Sequence, residues 1–128
     1  NHLEAVPRQV IRGDAFKAMR HLAPDYDLVV LDPPPFARKK ADLPRAARGY
    51  KDLNLQAFRL LKPEGMLFTF SCSHAMDWDL FQKIVFSAAV DAGRQAQILG
   101  RLSHPADHPF HLSHPEGEYL KGILCRAW

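Results

Sequence analysis

Cysteine, long apolar runs and strong net charge are what this 128-residue chain has least of. Its two cysteines, Cys72 and Cys125, are too few for the disulfide framework of a small secreted domain, so each needs its own explanation. No apolar run approaches the ~20 residues that a helix needs to cross a bilayer. The opening Asn1-His2-Leu3-Glu4 lacks the charged-then-apolar form of a secretory leader. These absences point away from a membrane span and from export, and toward a cytoplasmic protein. No structural repeat is present either: Leu-Ser-His-Pro occurs at Leu102 and at Leu112 with no periodic context around it. What remains, 47% hydrophobic and 24% charged with a net charge of +3, describes one ordinary domain able to bury a core.

The stretch with most information runs from Tyr26 to Phe36. Leu28 to Leu31 is an unbroken apolar run with two valines, the composition of a strand covered on both faces in a parallel α/β sheet. Asp32 sits at its carboxyl end, and Pro33, Pro34 and Pro35 remove three backbone donors and fix φ, so that neither strand nor helix continues and Phe36 is left at the tip. Ligands of open α/β sheets bind at the carboxyl ends of strands, which makes a carboxylate held there by a rigid loop a site candidate. A strand cap and a turn are the plainer reading of the same residues.

Around that stretch the elements alternate. Arg8 to Arg12 carries Val10 and Ile11 and reads as a short strand; Gly13-Asp14 ends it and caps a helix over Ala15 to Leu22. Ala37 to Gly49 is polar and basic without sustained periodicity and reads as an exposed loop. A helix resumes near Tyr50 with Leu53, Ala57, Leu60 and Leu61 on one face, and Lys62-Pro63-Glu64-Gly65 terminates it. Met66 to Phe70 is the next buried strand. Asp77 caps a helix that shows Trp78, Phe81, Val85, Ala88 and Ala92 on one face and closes at Gly93. Gln95 to Leu102 and Glu118 to Trp128 form two last strands, expected to be antiparallel.

Charge is unevenly spread. Arg38, Lys39, Lys40, Arg45, Arg48 and Lys51 against Asp42 give +5 within fourteen residues, beside the candidate site. Such a patch suits a polyanionic partner. Cys72 lies between Ser71 and Ser73 at the end of the second buried strand, a polar and partly open position of the kind a thiolate nucleophile needs. A small buried hydrophobe is the alternative, and it is the reading given to Cys125 inside the last strand. His104, His108, His111 and His114 do not read as a metal site, since no helical i, i+4 pair forms among their prolines and no cysteine joins them.

The sequence Asp-Ala-Phe at 14 to 16, Asp-Pro-Pro-Pro-Phe at 32 to 36, Arg-Gly-Tyr-Lys-Asp at 48 to 52, Leu-Lys-Pro-Glu-Gly at 61 to 65 and Thr-Phe-Ser-Cys-Ser at 69 to 73 resembles class I S-adenosylmethionine-dependent methyltransferases. The likeness is nearest to the RlmI-type bacterial 23S ribosomal RNA cytosine-C5 methyltransferases. It continues through Ala-Asp-His-Pro at 106 to 109 and Pro-Glu-Gly-Glu-Tyr-Leu-Lys-Gly at 115 to 122, over nearly the whole chain. The resemblance implies a Rossmann-like α/β fold, S-adenosylmethionine as cofactor and ribosomal RNA as partner, with no metal and no membrane. Cys72 is then the nucleophile and Asp32 its catalytic companion. Asp14, Phe16, Asp32 and Pro33 fall on the cofactor side. Pro33, Pro34 and Phe36 line the target base, and the basic residues Arg38, Lys39, Lys40, Arg48 and Lys51 take the phosphates.

The family's glycine-rich cofactor loop, ribose-binding acid and N-terminal RNA-binding PUA domain all precede the point where this chain begins, so residues 1–128 resemble the C-terminal part of a catalytic domain. The family usually has another residue in place of one of the three prolines. In the family's strand order 3-2-1-4-5-7-6, Arg8 to Arg12 would be strand 3, with strands 1 and 2 absent and the Leu28 to Leu31 strand left as an apolar edge. Either residues 8–12 shift to cover that edge, or two chains pair there as a dimer.

Cytosine C5 has little nucleophilicity. A thiolate adding at C6 turns the ring into an enamine that attacks a methyl sulfonium, while a group such as Asp32 stabilises the charge driven toward N3 and O2. The base must be unstacked to be reached, with Phe36 as a platform. Two other readings share these residues. Asp-Pro-Pro followed by an aromatic also marks methylation of exocyclic amines of adenine or guanine, which needs no cysteine. The basic stretch alone would suffice for a non-catalytic RNA-binding or dimerising module.

Overall fold

A computed structural model describes residues 7–128; Asn1 to Glu4, read above for a leader, lie outside them. The elements are α1 (Ala15–Ala18), β1 (Tyr26–Leu31), α2 (Leu43–Leu60), β2 (Leu61–Ser71), α3 (Trp78–Asp91), β3 (Ala96–Leu102) and β4 (Lys121–Ala127). The four strands form one sheet in the order β1-β2-β4-β3. β1 and β2 are parallel, while β4 runs antiparallel to both of its neighbours. This order is the 4-5-7-6 part of the sheet that the resemblance implies. Among the described residues no helix is long and apolar enough to cross a membrane.

The sheet is covered on one face. Strand alternation turns Leu67, Thr69 and Ser71 of β2 and Ile123, Cys125 and Ala127 of β4 inward. Against them pack Tyr50, Leu53, Ala57 and Phe58 of α2 and Phe81, Ile84, Val85 and Ala88 of α3. The opposite face keeps Leu28, Val30 and Met66 exposed, with Val30 at 62%. The expectation of a first strand buried on both faces is therefore not met: its apolar run is that of a doubly covered strand, but helices lie on one side of it. Gly122 is required on the open face, where a Cβ would come within 2.6 Å of the Phe70 ring and 2.9 Å of Leu102 Cβ.

Three local readings are corrected by the structure. Residues 8–12 form no strand and do not cover the β1 edge; Val10 is 82% exposed. Two apolar residues among Arg8, Gln9 and Arg12 bury too little to repay the entropy of ordering a lone edge segment. The supposed loop from Ala37 to Gly49 is half helix, since α2 begins at Leu43 with Pro44 in its first turn, where a missing N–H costs nothing. Its buried stripe Ala46, Tyr50, Leu53, Ala57, Leu60 is continuous, and the charged residues around it mask the first two turns. Lys62 to Gly65 belong to β2 as an irregular start: Tyr26 pairs with Leu61 but Leu28 with Met66, and Glu64 takes φ 69°. Arg94 steadies this bulge by donating to the carbonyls of Leu61 at 3.0 Å and Lys62 at 2.8 Å.

Cys125 fills the core as expected. Burial pushes its thiol from the ordinary 9.0 up to about 11. A thiol whose folded pKa is raised stabilises the fold below its unfolded value and loses that contribution as pH rises through the folded one. Between pH 9 and 11 the protein should lose up to roughly 2 to 3 kcal/mol that a Cys125→Ala variant does not lose. Urea titrations of both proteins at the two pH values check this, and parallel losses would remove the assignment.

Candidate active site

The parallel register of β1 and β2, Leu31 opposite Thr69, brings the two polar strand ends side by side. Asp32 emerges exposed, Pro33 is buried, and Pro34 is exposed. Across from them the Cys72 thiol, half buried, donates weakly to the Pro33 carbonyl at 3.6 Å. The juxtaposition of Asp32 and Cys72 expected from topology is thus present.

Ser73, fully buried, holds this arrangement together. Its Oγ accepts from the Ala37 N–H at 3.1 Å and shares a hydrogen bond with the Tyr50 hydroxyl at 2.9 Å. Its own N–H reaches Ser71 Oγ at 3.4 Å, and its carbonyl accepts from Lys121 Nζ at 3.1 Å. The proline loop, α2, β2 and β4 therefore meet at one residue.

Burial raises the Cys72 thiol above its ordinary value; its own backbone hydrogen bond opposes this, the Asp32 charge adds to it, and the Lys121 charge counteracts it. Lys121 is pushed the other way, its pKa lowered by burial and pulled back up by Cys72 and Asp77. Sequence reading missed Ser73, Tyr50 and Lys121 as site residues. A signal for the last did exist: alternation of Lys121, Ile123, Cys125 and Ala127 puts a lysine on the inward face of a strand otherwise apolar there.

Phe36 does not stand free at the loop tip. Its ring lies 4.7 Å from Tyr50 and 6.0 Å from Phe16. It also sits over Gly49, where a Cβ would meet it at 3.2 Å. Burying a ring against two others outweighs exposing it, so it cannot offer a whole face to a base. Asp14 caps α1, accepting from the Phe16 N–H at 2.8 Å, and Phe16 ties that helix to the loop.

The basic residues separate into two groups. Arg38, Lys39 and Lys40 are exposed directly after the proline loop. Arg48 and Lys51 lie on α2 in a groove shared with Lys83, Ile84 and Ser87 of α3, and Lys51 is paired with Asp91 at 2.8 Å. The single basic loop inferred from sequence is therefore two surfaces, because a helix carries its later members to its other side. The histidine rings gather around Tyr119: His104 stacks on His108 at 5.9 Å and meets Tyr119 edge-on at 4.7 Å, and Tyr119 lies 4.8 Å from His74, two residues after Cys72. Among the described residues no group of three or more ligating side chains is placed to hold a metal.

No family model matches the chain. Curated relatives do. The ribosomal RNA large subunit methyltransferase I of Tolumonas auensis is 53% identical over 130 residues, covering 99% of this chain and 33% of that protein. Its counterpart in Shewanella amazonensis is 55% identical over 119 residues, covering 91% and 30%. Among solved structures, a methyltransferase complexed with SAH superposes with a TM-score of 0.64 at 24% identity, over 87% of this chain and 28% of that one, and so shares its fold. The sheet and its two helices are those of a class I methyltransferase. Half of its residues are shared with the ribosomal RNA large subunit methyltransferase I proteins over nearly its whole length, and the chain spans about a third of theirs.

Proposed function

We propose that this chain is the C-terminal part of the catalytic domain of a cytoplasmic, S-adenosylmethionine-dependent RNA methyltransferase that acts on cytosine C5 of large-subunit ribosomal RNA through a covalent adduct on Cys72. The observation that carries the reading is a half-buried thiol held against the Pro33 carbonyl at paired parallel strand ends, beside Asp32. The names of the relatives support ribosomal RNA as the substrate.

Asp14, Phe16, Asp32 and Pro33 follow one edge of the molecule, linked by the contact between Phe16 and Phe36. The exposed Asp14 and Asp32 carboxylates suit a cationic ligand that donates hydrogen bonds. The cavity lined by Phe86, Val90 and Ile98 lies between α3 and β3 and includes neither of them. In this reading they form one wall of the cofactor site. S-adenosylmethionine, when bound there, supplies an electrophilic methyl group.

The chain's own residues act on the base. The Cys72 thiolate adds at C6, and the ring electrons move toward C5 and the N3 edge. Asp32, exposed at the end of β1, hydrogen-bonds or protonates the N3 and N4 edge and so stabilises that charge. Loss of the C5 proton then expels the thiolate. Because burial raises the thiol above its usual range, the rate should go on rising with pH past the ordinary thiol value.

In the complete protein, Cys72→Ala should abolish turnover while leaving cofactor affinity within a few-fold, and 5-fluorocytosine RNA should trap wild type but not the variant as an adduct. Normal turnover by the variant would sink the C5 mechanism and favour methylation of an exocyclic amine by Asp32 and the proline loop.

The exposed Arg38, Lys39 and Lys40 take RNA phosphates in this reading. Their triple alanine variant should flatten the plot of log affinity against log salt by about 2, at roughly 0.7 to 0.9 per contact. Lys51→Ala, its charge already paired, should leave the slope alone. An unchanged slope for the triple variant would reduce the patch to a solvated surface. The unpaired β1 edge, with Leu28 and Val30 exposed, also supports edge pairing of two copies of the isolated chain, and a monomer by sedimentation removes that part.

A further inference from the structure

The mechanism above does not use the placement of Lys121. It is 5% exposed, on the inward face of β4 opposite Ser71, and lysine is almost never buried to this extent without a counter-charge. Among the described residues no carboxylate lies within ion-pair distance of it. Its Nζ donates to the Ser73 carbonyl at 3.1 Å, one residue beyond Cys72. A neutral carbonyl satisfies one of three N–H groups and none of the charge. A structural lysine would gain more by reaching water along its flexible stem.

We propose that Lys121 is a positioning residue for Cys72: its ammonium, fixed on the carbonyl of the residue after Cys72, holds the negative charge of the thiolate when the proton leaves. The inference rests on Cys72 as the nucleophile and assigns the group that makes its anion tolerable. The charged and titratable groups around the pair come from every packed element. Asp32 at the end of β1 opposes the thiolate, and Asp77 at the cap of α3 draws on Lys121. Tyr50 of α2 is engaged with Ser73 Oγ, and His74, exposed, stacks on Tyr119 before β4. Of these, Lys121 supplies the positive charge that counteracts burial of the sulfur.

The test reads the thiolate without RNA or cofactor, so it is independent of whether methyl transfer occurs. In the complete protein, iodoacetamide modification of Cys72 is followed against pH, with peptide mass spectrometry separating it from Cys125. Lys121→Met and Lys121→Gln should each move the midpoint up by about one pH unit, so that modification below the midpoint is about 10-fold slower. Lys121→Arg, which keeps the charge, should restore most of the shift. A folded Met or Gln variant with the wild-type midpoint overturns the proposal. Wild-type protein gives a second measurement that needs no lysine variant. Nitrogen NMR of Lys121 Nζ should titrate at lower pH once Cys72 has been alkylated, because coupling between two charges is reciprocal; an unmoved titration also overturns it.

Discussion

Ser73 is the constraint on which the site depends. Three consecutive prolines make the loop after β1 rigid but strip it of donors, so it cannot be held by a backbone ladder. The Ala37 N–H, just beyond them, is buried and is satisfied by Ser73 Oγ. The same oxygen meets the Tyr50 hydroxyl, and the carbonyl of the same residue meets Lys121. Removing one partner of such a buried set costs about 1 to 3 kcal/mol, because the others lose their only protein partner. Cys72 is positioned as a consequence: it is the residue between two serines that are both fixed.

The same geometry governs the electrostatics. A thiol sheltered by the proline loop keeps its proton, and the nearby Asp32 reinforces this. A cysteine that keeps its proton is less open to oxidation than a permanently ionised one at a strand mouth. The inward lysine is compatible with that economy, since its charge counters burial without making the resting thiol acidic.

The sequence carried the strands and their ends well, because β1, β2 and β4 are marked by strong apolar runs and Asp32 and Ser71-Cys72-Ser73 interrupt them abruptly. Parallel pairing then places the two interruptions together with no further information. What stayed hidden depended on partners. Residues 8–12 have strand composition but no neighbour. The first turns of α2 have helical residues whose apolar stripe is only Ala46 and Tyr50, too thin to stand out among Arg45, Arg48 and Lys51. Phe36 looked exposed because nothing local shows that Phe16 and Tyr50 will close on it. Lys121 was passed over because a lone charge beginning a strand is usually solvated; its alternation with Ile123 and Cys125 contradicts that, but only once the inward face is known.

The two walls of the site differ in how they are held. The side that carries Cys72 is tied to the covered face of the sheet: Tyr50 and Lys121 both reach Ser73 from within the core, and Tyr50 packs on Phe81 of α3 at 5.8 Å. The side that carries Asp14 and Phe16 is held by the contact of Phe16 with Phe36 and by the four-residue α1. Asp14 and Asp32 are exposed there, whereas Cys72 is half-buried against the Pro33 carbonyl. On the proposed reading the nucleophile is thus preorganised by buried hydrogen bonds, and the two exposed carboxylates are not.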